Sequence, residues 1–178
     1  MATPTTLPAT FTAGQVLTSA EMNNLRGAFR ILQVVSTTKT DTFSTTSTTL
    51  TDVTGLSASI TPSATSSKVL VIATITGATT NNADAGGSGY VIVRGSTLIA
   101  QNTALTADFT GQLSMRNLAS SALTLNHAAT FLDSPATTSA TTYKIQVQTT
   151  GTNTLYINRD QDNAVGSVSS ITLFEVSA

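Results

Sequence analysis

The only histidine of the chain, His127, lies in "LTLNHAATFLD". A hydrolase would use such an imidazole as general base, between a nucleophilic hydroxyl and an orienting carboxylate. Serine and aspartate are present, but neither a G-x-S-x-G elbow nor an H-E-x-x-H helix frames a site. His127 therefore reads as a partly buried strand residue. The stretch "NRDQDN", residues 158–163, sets Asn158, Asp160 and Asp162 at alternate positions. Oxygen ligands two apart match the opening of a calcium loop, which also needs a glycine at its sixth position and a distal glutamate. Both are missing. The stretch reads as a polar hairpin turn, with a loose ion site at a loop tip as the alternative. "GGSG", residues 86–89, lacks the Lys-Ser/Thr pair and following helix of a phosphate-binding loop. Without tryptophan there is no signal for a deep sugar-stacking pocket, and Tyr90, Tyr143 and Tyr156 read as core or subunit-interface residues. No catalytic constellation, metal set or cofactor is expected.

The elements that would hold these residues follow from composition and pattern. The chain has 178 residues, enough for one domain with an appendage. Charged residues make up 10%, well below the roughly 25% of ordinary globular domains, so hydroxyls and amides must carry solubility. Such a surface suits packing against other subunits. The eight basic residues are scattered singly, which excludes the clustered charge that nucleic acid binding requires. There is no cysteine, hence no disulfide framework and no thiolate chemistry. The opening "MATPTTLPATFTAG" lacks the charged and apolar regions of an export signal, and no apolar run approaches a membrane span. A protein made in a cytosol, with no membrane insertion, is expected.

Residues 1–14 carry Pro4, Pro8 and Gly14 without periodicity, as an extended arm would. "LTSAEMNNLRGAFRILQVV" follows, with Thr18 and Glu21 spaced as a capping box. Met22, Leu25, Phe29 and Leu32 then form an a/d stripe shorter than two heptads. A helix this short needs a partner surface. The stripe packs either on the following sheet, on copies of itself about a threefold axis, or on another protein. Beyond it, ten short runs read as strands: 31–37, 42–46, 56–61, 68–76, 90–94, 97–101, 122–132, 142–149, 154–158 and 170–176. "TYKIQVQTT" alternates cleanly, giving one dry and one wet face. "VLVIATI" is continuously apolar, as expected of a strand buried on both faces. Strands at this spacing without intervening helices indicate an antiparallel two-sheet sandwich, and their number fits a jelly roll. The loops at 81–89 and 158–163 are expected at an exposed end of it.

"LPATFTAGQVLTSAEMNNLRGAFRILQVV" resembles the N-terminal segments of tailed-bacteriophage virion proteins of the tail-fibre kind, in which F-x-A-G-x-V-L-T-x-A-x-M-N precedes a β domain. "STTKTDTFSTTSTTLTDVTGLSASITPSATSSKVLVIATITG" is similar to the opening of that domain. "FLDSPATTSATTYKIQVQT", "LYINRDQDN" and "SSITLFEV" are similar to its closing strands, so the resemblance spans nearly the whole chain. It implies a virion structural protein, assembled in the bacterial host cytoplasm, with a trimeric jelly-roll domain of the tumour-necrosis-factor or C1q kind. It implies no catalytic residues. The expected organisation is an anchoring arm and helix at 1–30 and a mainly β domain at 31–178. Expected partners are two further copies of the chain, other virion proteins through residues 1–30, and a host surface glycan or protein. Met22, Leu25, Phe29 and Leu32 are the expected oligomer and anchoring residues. A capsid decoration or head-fibre protein is the structural alternative. A glycan-active enzyme is the alternative from another class, disfavoured by nine dispersed acidic residues.

Overall fold

A computed structural model of the chain describes residues 31–79, 87–100, 113–116, 124–150, 152–164 and 166–177, with isolated positions 14, 16, 18 and 19. The strands are β1 (Ile31–Lys39), β2 (Phe43–Thr45), β3 (Thr51–Ile60), β4 (Lys68–Thr79), β5 (Gly87–Arg94), β6 (Thr97–Ile99), β7 (Leu113–Arg116), β8 (Leu125–Asp133), β9 (Thr141–Thr149), β10 (Leu155–Ile157) and β11 (Ser169–Val176). Each expected strand meets an observed one. The sequence pattern missed β7, whose "LSMR" is short and has no β-branched residue. It also missed the first half of β3. Thr51 and Asp52 pair with Val147 and Gln146, and the ladder resumes only at Ser57. Gly55, at φ +81°, supplies the left-handed turn inside this irregularity, a conformation that costs glycine least.

All described strand pairs are antiparallel, in two sheets. The first, called here the β4 sheet, runs β1-β11-β4-β10-β2, with β8 on the other edge of β4. β11 and β10 share one edge of β4, at residues 68–74 and 77–79 respectively. The second, the β9 sheet, runs β3-β9-β5-β6, with β7 beside β6 on the same strand, β5. Alternate residues of the central strands meet in one core: Val69, Val71, Ala73 and Ile75 from β4, Tyr143, Ile145 and Val147 from β9, Ile171 and Leu173 from β11. Tyr143, Ile145 and Val147 are buried while Lys144, Gln146 and Gln148 are half-buried, as the alternation required.

Two expectations are corrected. β4 is not buried on both faces: Leu70, Ile72 and Thr74, between its core residues, are only half-buried. β5 fills that role instead, with Val91 and Val93 buried opposite Tyr90 and Ile92. The second correction concerns residues 81–89. Positions 81–86 lie outside the described residues, but Gly87, Ser88 and Gly89 already belong to β5, and Ser88 is buried.

The open end of the sandwich is tied by one carboxylate. Glu175 is 1% exposed. Its Oε1 accepts from the Ser63 backbone N–H at 2.7 Å, Ser63 Oγ at 2.6 Å and Ser67 Oγ at 2.7 Å, and its Oε2 from Gln33 Nε2 at 2.7 Å. The bonds join β1, β11 and the β3–β4 loop. Burial is the largest single influence and pushes the carboxyl pKa up, but the hydrogen bonds of Ser63, Gln33 and Ser67 together outweigh it and hold the group below its ordinary value. Because the folded-state value is depressed, the stabilisation is complete above the unfolded carboxyl's pKa and is lost as pH falls through the folded value. Glu175→Ala leaves the buried Ser67 hydroxyl, and the more exposed Ser63 and Gln33 donors, without this acceptor and is expected to cost roughly 2 kcal/mol, measured by urea denaturation at pH 7. The gap between variant and parent should narrow as the pH is taken below about 4.

Candidate functional site

Met22, Leu25 and Phe29 lie outside the described residues, as does the helix expected around them apart from Thr18 and Ser19. Leu32 is described, and it lies in the strand expected at 31–37. It sits in β1, at the point where the register against β11 shifts between Ile31 and Gln33. Pairing of Ile31 with Val176 draws the backbone into the sheet, so Leu32 cannot continue a helical face.

The two sheets differ on their outward faces. On the β9 sheet Lys144 Nζ pairs with Asp52 Oδ2 at 2.8 Å, and Gln146 Nε2 donates to Asp52 Oδ1 at 2.6 Å. Exposed pairs of this kind contribute little stability, and Val91 and Val93, opposite Gln146 and Lys144 on the same face, are buried. On the β4 sheet the register places Val34 opposite Phe174, Phe174 opposite Leu70, and Leu70 opposite Leu132. All four point away from the core. Val34 and Leu132, at the two margins of this row, are 54% and 55% exposed. Among the described residues a contiguous apolar strip lies here, on a sheet face that alternation alone would make polar. Sequence reading assigned it to a buried strand, because the apolar run of β4 does not say what covers its second face.

The residues with chemical potential are placed as follows. His127 lies in β8, half-buried, and its ring is 5.5 Å from that of Tyr90 on the other sheet. Its Nε2 is buried without a hydrogen-bond partner. Burial lowers its pKa, which favours the neutral imidazole. Gly77 lets Tyr90 fit: a Cβ there would collide with the Tyr90 hydroxyl and lie 2.8 Å from the Tyr156 carbonyl. Asp133 accepts two bonds from Arg94 Nη1, at 2.8 and 2.7 Å, and one from Tyr143 OH at 2.7 Å. Burial, and then the neighbouring Asp133, push the Tyr143 phenol up. This carboxylate is spent on joining β8 to β5 and β9, and composition gave no hint of it.

Residues 158–163 form a turn whose base is buried and whose tip is exposed. Asn158, at φ +62°, is buried, and Asp160 is 7% exposed. Asn158 Nδ2 donates to the carbonyls of Lys39 at 2.8 Å and Asp41 at 3.0 Å, and its Oδ1 accepts from Ser169 Oγ at 2.6 Å. Asp160 Oδ1 accepts from the Ala164 N–H at 2.8 Å. The turn is pulled inward because its side chains close the β1–β2 connection. The tip, Asp162 to Ala164, is exposed. Among the described residues no group of three acidic, histidine or cysteine side chains could hold a metal ion. Arg159 stacks on the Tyr156 ring at 4.2 Å.

No protein-family model matches the chain, and no curated protein matches it significantly.

His127 generates the prediction of this site. Its folded-state pKa is depressed, so its contribution is present above the unfolded imidazole's value and is lost as pH falls through that value toward the folded one. Thermal unfolding of the parent is expected to show stability declining between about pH 7 and pH 5, and His127→Phe should flatten that decline. An equal slope in both proteins would contradict the buried, neutral assignment.

Proposed function

We propose that the chain is a structural protein of a tailed-phage virion: a short homotrimeric fibre or spike. Residues 1–30 attach to the particle, and the β domain stands away from it and contacts the host surface. The resemblance of the N-terminal segment and the closing strands to such proteins supports this, as does a charge-poor surface suited to subunit packing.

Strand order supports a jelly roll. Where β1 with β2, β10 with β11, and β6 with β7 are each taken as one interrupted strand position, each sheet has four positions. They read β8, β4, β11/β10, β1/β2 in one sheet and β3, β9, β5, β6/β7 in the other. The chain crosses between sheets from β2 to β3, β3 to β4, β4 to β5, β7 to β8, β8 to β9 and β9 to β10. Repeated crossing of this kind is what a double Greek-key path requires, and it supports that reading.

The observation that carries the functional reading is the point of entry. β1 is an edge strand and opens at Ile31. Residues 1–30 thus lead into the domain at its margin, while the apolar core of the described residues is drawn from Val35 to Leu173. An attachment segment can join a sheet there without interrupting any ladder.

Deletion of residues 1–30 tests it. The truncated chain is expected to stay soluble with an unchanged β-sheet circular dichroism signal, and to melt at a somewhat lower temperature. Met22, Leu25 and Phe29 would contribute at most about 1.5–3 kcal/mol each if fully buried. It is expected to be missing from particles purified after complementation of a phage lacking the gene. An unfolded truncation, or normal incorporation, would contradict the proposal. Copy number of the full chain per particle separates a tail appendage, present in a few to a few tens of copies, from a capsid decorator.

A further inference from the structure

We propose that Arg159, stacked on Tyr156, binds an anionic group on a surface polysaccharide, a uronate carboxylate or a phosphodiester. The proposal rests on the reading of the β domain as the part that contacts the host. Lys39, Lys68, Arg94 and Lys144 each engage an oxygen of the chain, on Asp41, Ser134, Asp133 and Asp52 respectively. Among the described cationic side chains Arg159 alone has no hydrogen-bond or ion-pair partner. Its Cζ lies 4.2 Å from the centre of the Tyr156 ring, a contact that fixes the guanidinium without using its N–H donors. The backbone holds it as well. Asn158, at φ +62°, turns the chain and is bonded to Lys39, Asp41 and Ser169. Arg159 then bridges Gly166 across the turn. A Cβ at Gly166 would meet no atom within 4 Å, so the space beside the bridge is open. A guanidinium held in one orientation at an open position suits an oxyanion approached by two parallel bonds. Little side-chain freedom is left to lose on binding.

Charge narrows the ligand. Asp160 and Asp162 follow closely in the chain, yet neither pairs with Arg159. Asp160 is buried with its Oδ1 on the Ala164 N–H, and Asp162 is exposed. Carboxylates so near repel a densely charged polymer such as nucleic acid and admit an isolated charge between neutral sugars. Ser44 is exposed and lies opposite Tyr156 across β2 and β10, so its hydroxyl stands on the same face as the ring. Aromatic edge and hydroxyl together suit a sugar that carries the anion. The location agrees. Ile31 pairs with Val176, and Val176 with Lys68, at one end of β4. Tyr156 pairs with Ala78 near the other end, about 30 Å further along the strand. This is the end that the proposed function turns away from the particle.

The test follows the arginine Nε–H signals by NMR in the full chain, labelled isotopically at arginine. Loss of one signal in Arg159→Lys assigns it. Three probes are titrated: a hyaluronan tetrasaccharide with uronate carboxylates, glycerophosphoglycerol with a phosphodiester, and neutral maltotetraose. A saturable shift of the Arg159 signal by a charged probe, with none from maltotetraose, is expected, and the probe that gives it identifies the anion. Gly166→Asp puts a carboxylate in the open space beside the guanidinium and should weaken that binding by about tenfold or more, whereas Gly166→Asn should not. In ligand-observed saturation transfer, Arg159→Gln should lose the charged probe and Lys68→Gln should keep it. No shift with either charged probe overturns the proposal and leaves the particle role standing, because failure of that role shows instead as a full chain missing from virions. An equal shift with maltotetraose overturns the proposal too, as does a charged probe still bound by Arg159→Gln. So does an Arg159→Gln chain of lower mass than the parent by light scattering, which would give the guanidinium to a contact between copies.

Discussion

Burial of the β4 sheet against the β9 sheet is the interaction on which everything else in this molecule depends. Val69, Val71, Ala73 and Ile75 on one side and Tyr143, Ile145 and Val147 on the other share a single apolar core. Each sheet can spend only one face on that contact. The β9 sheet carries on its second face a lysine and a glutamine that both bond Asp52, with the buried Val91 and Val93 of β5 beside them. The β4 sheet carries on its second face one apolar row among serines and threonines. That row is more than half exposed at its margins, whereas Val91 and Val93 are covered.

The polar groups of the interior serve the same contact. Glu175, Asp133 and Asn158 each gather three or four hydrogen bonds, and each joins elements that the ladders leave separate. Their net worth is modest while intact, but removal of any one strands buried donors or acceptors. Lys39 is the extreme case: its side chain is 1% exposed, yet its ammonium reaches the exposed Asp41 at 2.8 Å. The ammonium is withdrawn from water with the rest of the side chain, and the Asp41 carboxylate offsets that desolvation. In a chain without disulfides, these ties hold the ends of the sheets.

The sequence made the strands legible because β-branched runs alternate and are cut by Gly, Asn, Asp and Pro. The alternation of Tyr143 to Gln148 stated which side was dry, and the structure agrees. What pattern could not state was the state of a second face. Leu70 and Ile72 look identical in sequence whether a subunit, a loop or water lies over them. Polar residues misled for a related reason. Asn158 and Asp160 have turn chemistry, yet their bonds to Lys39, Asp41, Ser169 and Ala164 draw them inward across long sequence separations. Glu175 closes "SSITLFEV" as an ordinary strand end, and only its meeting with Ser63, Ser67 and Gln33 makes it a tie. Leu32 fitted a helical spacing and a strand equally well, and pairing with β11 chose the strand.

The central claim of the proposal is that the chain works as a homotrimer. Sedimentation equilibrium of the full chain at micromolar concentration tests it most directly. The account predicts the mass of three chains. A mass of one chain across that range would contradict it.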